Sequence, residues 1–573
     1  MKKAIGIACI LLVGALGFRL FLALRHPNDE PDDGRVYALI ARNVVDHHAY
    51  SLETEEPYKP TFIRVPGYPL FLAGVYRLFG EDNNRAVRIA QALLSTLTCL
   101  IVGLIAMAWT PSEWDESRRR RALLLGIALA AICPFTAIYV TVILTETWAT
   151  LLGAACALAA SLAIKSEAGA RKIAWWAAAG VLGGGATMFR PDAAMFVGAA
   201  GILMVLVQAG KAVASARSSG ARTTKARRSG LPEPLRAALV SGTAIALGFG
   251  LALTPWTIRN ARVFGMFQPI APSDAGMPGE FSYQGYIAWL KTWVDDVRYT
   301  EIAEWPLDYA PIRIQDLPDF AFDSPEEKDR VAALFTAYNN GADKQDAAAS
   351  DSSDDDDSTD SSDSQDTTGD HADSPSPPEQ VSPNLSPNLS PNHVHTGKEY
   401  AVQMTTDLDA AFAQIARERI ARRPLRYYVT NRLKRASSMW FDTHSQYYPF
   451  QGELLPLSGL DTDLHQQYWL PAFMLLTLLF TVLTLVGCVI FWRHEQARVW
   501  LLFLALLTLP RIAFLSTLEN PEPRYVVELF AFLAAASAVA VAAATPSRFL
   551  AKASALVGRR SQKQPLPPPA DVA

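Results

Sequence analysis

Long apolar runs constrain this chain more than any other feature. Ten stretches of about twenty residues, enough for a helix to cross a hydrocarbon core, recur at 4–24, 86–109, 121–140, 145–164, 172–188, 191–208, 236–256, 469–492, 498–516 and 525–545. With 50% of its 573 residues hydrophobic, the chain reads as an all-α polytopic membrane protein of about ten transmembrane helices. Pro134 and Pro191 mark breaks, which neighbouring helices make tolerable by re-satisfying the backbone. The connections within 121–164 and 172–208 are very short.

The formal net charge of -4 hides two opposite populations. Residues 343–373 hold twelve aspartates against one lysine, so the remainder of the chain is net positive. Cations concentrate at Arg118–Arg121, Lys165–Lys172, Lys211–Arg228, Arg493–Arg498 and in the tail at Arg559, Arg560 and Lys563. The positive-inside rule then places both termini in the cytoplasm and residues 25–85 and 258–467 on the outer face of the cell (inner) membrane. The first segment begins with Lys2 and Lys3 like a signal peptide. It stays apolar through Arg19 to Leu24 without a small-residue cleavage site, which predicts a retained anchor.

These boundaries divide the chain into an N-terminal membrane domain (1–257), an outer segment (258–342), an acidic and Ser/Pro/Asn-rich insert (343–396), a helical outer segment (397–467), C-terminal membrane helices (468–546) and a cytoplasmic tail (547–573). In the loop 25–85, the spacing of Tyr37, Ile40, Ala41, Val44 and Val45 predicts a helix after Asp33, and Tyr68–Phe79 a second, both lying along the interface. Phe281, Tyr283, Tyr286, Trp289 and Trp293 predict a segment packed over the membrane domain. The insert has almost nothing apolar to bury and is expected to be disordered. Its Asp run lacks the ligand spacing and turn glycine of a calcium loop. Helical periodicity returns over 400–440.

Ionisable residues beside the membrane are costly and are usually kept for function. Asp33 is a good N-cap, or a base acting on a hydroxyl, with Asp29, Glu30 and Asp32 as rivals. Arg64, ahead of Pro66-Gly67-Tyr68-Pro69, either snorkels to headgroups or grips a phosphate. Glu146 suits a helix N-terminus, and Arg190 and Arg259 could be interfacial anchors. With Arg524, in Glu522-Pro523-Arg524-Tyr525, they fall on one face of the membrane.

The remaining chemistry is sparse. The five cysteines (Cys9, Cys99, Cys133, Cys156, Cys488) sit in apolar runs as small buried residues with no disulfide framework. Neither His393 and His395 nor His444 and His465 form a compact ligand set, so a divalent metal has no support in the sequence. Nothing points to nucleic acid, and there is no P-loop or Gly-rich nucleotide turn. Gly183-Gly184-Gly185 predicts close helix packing.

An ordered series of motifs resembles the C-type superfamily of membrane glycosyltransferases, specifically bacterial relatives of protein O-mannosyltransferases and aminoarabinose transferases. It comprises Asp33-x-x-x-Tyr37, Arg64-x-Pro-Gly-Tyr-Pro69, Thr145-Glu146, Arg190-Pro191, Pro255-Trp256-x-x-Arg259-Asn260, Arg524-Tyr525 and the outer helix Ile415–Trp440. The resemblance implies a sugar donor on a polyprenyl phosphate and transfer to an acceptor hydroxyl on the outer face, with inversion and no required cofactor. It casts Asp33 as catalytic base and Arg64, Arg259 and Arg524 as contacts to the donor phosphate. Tyr37, Tyr68, Glu146, Arg190 and Tyr525 join them around the substrate. The acceptor, whether glycan, lipid or protein, is not specified. A secondary transporter would show an internal repeat and midplane polar groups, and a non-enzymatic envelope assembly factor or receptor would leave Asp33, Arg64 and Arg524 without a shared purpose.

Overall fold

The computed structural model describes residues 2–25, 27, 32–219, 232–272, 276–351, 402–441 and 464–544. Among these the architecture is helical without a strand, and a lone antiparallel bridge joins Ser51 to Pro60. The first part of the chain forms α1 (Lys2–Arg25), α2 (Asp32–Asp46), α3 (Gly67–Phe79), α4 (Asn84–Trp109), α5 (Glu116–Ile132) and α6 (Pro134–Ile138). It continues with α7 (Glu146–Lys165), α8 (Ala170–Phe189), α9 (Ala194–Ser219) and α10 (Glu233–Phe264). An outer group follows: α11 (Gln284–Leu290), α12 (Val297–Ala303), α13 (Pro325–Asp351), α14 (Thr406–Arg422) and α15 (Asn431–Phe441). The chain then re-enters the bundle as α16 (Leu464–Arg493), α17 (Arg498–Leu515) and α18 (Leu529–Ala544).

Seven helices among the described residues are long and apolar enough to cross a membrane, so the protein is an integral membrane protein. They are α1, α4, α7, α9 with the turn before it, α10, α16 and α17. The expected run 121–140 is not one helix. Cys133 turns extended and Pro134, lacking an N–H, starts α6, which leaves α5 only 17 residues long. At 16 residues α18 is also short. Pro191 likewise starts a separate turn between α8 and α9.

Two local features explain how the bundle closes. Arg19, fully buried on α1, donates to Ser95 Oγ of α4 at 2.7 Å and to the carbonyls of Ala130 and Ala131 at 3.0 and 3.2 Å. Those carbonyls end α5, where intrahelical partners run out, so a cation there satisfies the helix terminus and its dipole together. Gly180 of α8 and Gly248 of α10 oppose each other. A Cβ on either would overlap the backbone of the other helix, at Ile245 or Ala177, so the two backbones lie as close as glycine allows. In the glycine triplet, Gly183 faces Val197 and Gly184 faces Ala252, whereas Gly185 has room.

The outer helices hold a core of their own. Tyr286, Trp289 and Trp293 are buried in one cluster with Phe335 and Phe412, and Phe281 is exposed. The cause is local: Asp409 of α14 accepts from the N–H groups of Gly285 and Tyr286 at 3.0 and 2.8 Å, which pins the start of α11 onto α14. The helix expected over 400–440 is interrupted after Arg422, where Pro424 removes a backbone donor. α13 carries helix as far as Asp351, into the stretch expected to be disordered; the rest of the insert, together with Asp29, Glu30, His444 and the tail, lies outside the described residues.

Candidate active site

The site is assembled from three short pieces of chain far apart in sequence. Asp33 stands in the first turn of α2, whose buried face of Val36, Ile40 and Ala41 sets it against the bundle. Arg64 lies in an irregular stretch between buried Ile63 and Val65, held by the Tyr50 hydroxyl donating to the carbonyls of Arg64 and Val65 at 3.1 and 3.2 Å. Arg524 belongs to the turn Pro523–Val526 that leads into α18. Their side chains meet: Asp33 accepts from Arg64 Nη2 at 2.9 Å and from Arg524 Nη2 at 3.1 Å. Each is only about one-eighth exposed, at 14%, 13% and 12% respectively.

The Asp33 carboxylate is thus spent on tertiary ion pairs rather than on capping α2. Burial works to raise its pKa, but Arg524 and Arg64 outweigh that and hold it below the ordinary carboxylate value. Behind Arg524, Glu522 lies 2.7 Å from its Nε. Glu522 is almost fully buried, and burial pushes its pKa up to about 7 against the pull of Arg524.

A second charge network adjoins the first. Arg190 pairs with Glu146 at 2.7 Å, Asp192 at 3.3 Å and Glu528 at 3.5 Å. Arg511, fully buried on α17, pairs with Asp192 at 2.7 Å and Glu528 at 3.0 Å. Tyr525 links the two groups, its ring lying 5.5 Å from the Arg190 guanidinium and 5.2 Å from that of Arg524. Tyr37 packs under Arg64 at 5.8 Å. Asp192, Arg511, Glu522 and Glu528 were not among the expected site residues. Their signal in the sequence is that each is an ionisable group in, or at the edge of, an apolar run.

Two expected site residues stand back from Asp33. The Tyr68 hydroxyl donates to Gln91 at 2.8 Å and its ring meets Tyr37 edge-on at 5.2 Å, so it backs Tyr37 from a fully buried position. Arg259 donates to the Thr61 carbonyl at 2.7 Å and to Asn260 Oδ1 at 2.9 Å, with its guanidinium among Tyr50, Trp256 and Phe264. It fastens the loop 50–62 onto α10.

The loop after α17 serves two regions at once. Glu519 pairs with Lys291 of the outer segment at 3.0 Å, and the Ser516 carbonyl accepts from Arg435 of α15 at 3.3 Å. A few residues on, Glu522 and Arg524 reach the site. Among the described residues no group of three or more His, Cys, Asp or Glu is placed to hold a metal ion. Asp33 is instead a carboxylate clamped by two guanidiniums in a largely buried setting.

Residues 59–220 match the family described as dolichyl-phosphate-mannose-protein mannosyltransferase, a span that contains Arg64, Tyr68, Glu146 and Arg190. The expected kinship with the membrane glycosyltransferases is met over that span. No curated protein is similar to the chain. Among solved structures it is similar to the oligosaccharyltransferase AglB of Archaeoglobus fulgidus in complex with an inhibitory peptide and a dolichol-phosphate, with 14% identity, 98% of this chain and 52% of that one covered, and a TM-score of 0.45. The chain thus spans about half the length of that protein. It is also similar to ArnT of Cupriavidus metallidurans in the apo state, with 14% identity, 93% and 78% covered, and a TM-score of 0.33. Likenesses at this level concern helical architecture only.

Proposed function

We propose that this chain, matched over residues 59–220 to a family of membrane glycosyltransferases, transfers a sugar from a polyprenyl-phosphate donor to an acceptor hydroxyl on the outer face of the membrane. The observation that carries the reading is the clamp on Asp33 by Arg64 and Arg524. In our reading the donor phosphate displaces Asp33 from both arginines. Freed of two cations but still buried, the carboxylate then rises in pKa and becomes a competent base at the moment the donor is in place. Asp33 takes the proton of the acceptor hydroxyl, whose oxygen bonds to the anomeric carbon. The bond from that carbon to the phosphate oxygen breaks, and its electron pair leaves with the lipid phosphate. Arg64 and Arg524 offset the growing negative charge, and a single displacement inverts the anomeric centre.

The remaining groups hold this geometry. Arg190 with Glu146 fixes the start of α7, and Tyr525 and Tyr37 support the guanidiniums that meet Asp33. Because the donor brings its own leaving group, the proposed step calls for no cofactor. Arg259, engaged by the loop 50–62, acts on loop position rather than on the phosphate in this reading.

The test uses membranes incubated with a panel of labelled polyprenyl-phosphate sugars, followed by identification of the labelled product. Transfer per amount of folded protein should fall by about 10²–10⁴-fold in Asp33→Asn, which should also melt lower because Arg64 and Arg524 lose their shared partner. Near-normal transfer by folded Asp33→Asn protein would remove Asp33 from the chemistry.

A further inference from the structure

The stretch joining α14 to α15 carries large apolar side chains that remain about half or more exposed. Leu425 is 74% exposed, Tyr428 54%, Val429 47% and Leu433 66%. They run through a π-helical turn, Arg426–Thr430, into the first turn of α15. Other side chains of α15 are buried: Asn431 donates to the Thr292 carbonyl at 2.6 Å, and Arg435 to the carbonyls of Val294 and Lys291, both at 2.7 Å. At its far end α15 enters the bundle, where Met439 joins the core of the membrane helices. Trp440 stacks on Phe530 of α18 and donates to Thr481 of α16 at 3.0 Å. At 1.5 Å per residue Leu433 lies about 10 Å along the helix from Trp440.

Cations flank these residues in the sequence. Arg419, Arg422, Arg423 and Arg426 all converge on the buried Asp323, with Glu327 beside it, so four guanidiniums meet two carboxylates. Arg422 and Arg423 remain 45% and 54% exposed. Arg432 lies over the Tyr428 ring at 5.6 Å.

We infer that this stretch docks on the anionic phospholipids of the bilayer the protein spans. Leu425, Tyr428, Val429 and Leu433 enter the boundary between headgroups and acyl chains, while Arg422, Arg423 and Arg432 take the lipid phosphates. In water the same stretch would expose apolar area with no return. At a headgroup layer both halves are satisfied, and binding grows with buried apolar area plus attraction to anionic lipid. Since α15 also carries the Arg435 contact to the loop after α17, this surface holds that loop at a set height over the membrane. The inference stands on exposure and charge alone and does not depend on the proposed glycosyl transfer.

The test is site-directed spin labelling of the full chain, with its native cysteines replaced, in nanodiscs of phosphatidylcholine with or without phosphatidylglycerol. Labels at Val429→Cys and Leu433→Cys should collide with oxygen more than with a water-soluble nickel complex, and should sit deeper when phosphatidylglycerol is present. A label at Gln414→Cys, on the exposed side of α14, should show the reverse preference. Adding Arg422→Gln and Arg423→Gln should abolish the dependence on phosphatidylglycerol. Nickel access at 429 and 433 equal to that at 414 overturns the inference, as does equal depth in both lipids. Shielding from both reagents would place another part of the chain on this stretch and overturn the inference as well.

Discussion

Arg524 is shared by two carboxylates of opposite character. On one side Asp33 is held ionised; on the other Glu522, nearly out of reach of solvent, keeps a proton up to about pH 7. An unfolded chain releases that proton near 4.5, the ordinary value for a glutamate. The folded state therefore binds more protons than the unfolded one between these values, and stability falls as pH rises through the window. The loss is full above the folded value and amounts to at most about 3 kcal/mol. Glu522→Gln should accordingly raise the melting temperature over the unaltered protein at pH 8 and leave it unchanged near pH 4, as followed by thermal unfolding in one detergent. An unaltered protein at least as stable at pH 8 would show that Glu522 is not buried against its charge. Sequence singled out Asp33, Arg64 and Arg524 as members of one ordered motif series on one face of the membrane. It did not reach their pairing, which spans up to 491 residues of chain. It also could not show that Tyr68 is engaged by Gln91 or Arg259 by the Thr61 carbonyl, since both partners lie in stretches without a distinguishing pattern.

At the scale of elements, apolar length was the most legible signal and fine packing the least. The runs at 86–109, 145–164 and 498–516 reappear almost residue for residue as α4, α7 and α17. The break read from Pro134 proved deeper than a tolerated kink: it ends α5 at Ile132 and leaves α6 a separate short helix within the run 121–140. Composition could not tell which glycines face a neighbour. The structure separates them: Gly180 of α8 abuts the backbone of α10, and Gly185 abuts only the end of Leu152 at ordinary contact distance. Gly180→Leu should push α8 and α10 apart and remove most of the monodisperse protein on size exclusion. Gly185→Ala should leave yield unchanged and alter melting by less than about 1 kcal/mol equivalent. Equal yields from both variants would mean that the close approach of α8 and α10 is not needed for folding.

For the whole molecule, orientation decides whether the site meets an outer-face substrate. The cation-rich stretch 211–228 begins within the last turns of α9, whereas Asp33, Arg64 and Arg524 gather at the other ends of the helices, with the outer core of α11–α14. A reporter active only outside the cytoplasm should work when inserted between 352 and 396 and fail when inserted between 220 and 228. The reverse pattern would put Asp33 in the cytoplasm and end the proposed reaction.

The loop after α17 works as a lever with both ends loaded. Lys291 and Arg435 hold one end through Glu519 and the Ser516 carbonyl, and Asp33 holds the other through Arg524. One short stretch of chain, residues 516–524, therefore touches both the outer core and the ionic clamp. A solvent that slackens the outer core should idle the site while every membrane helix is still intact.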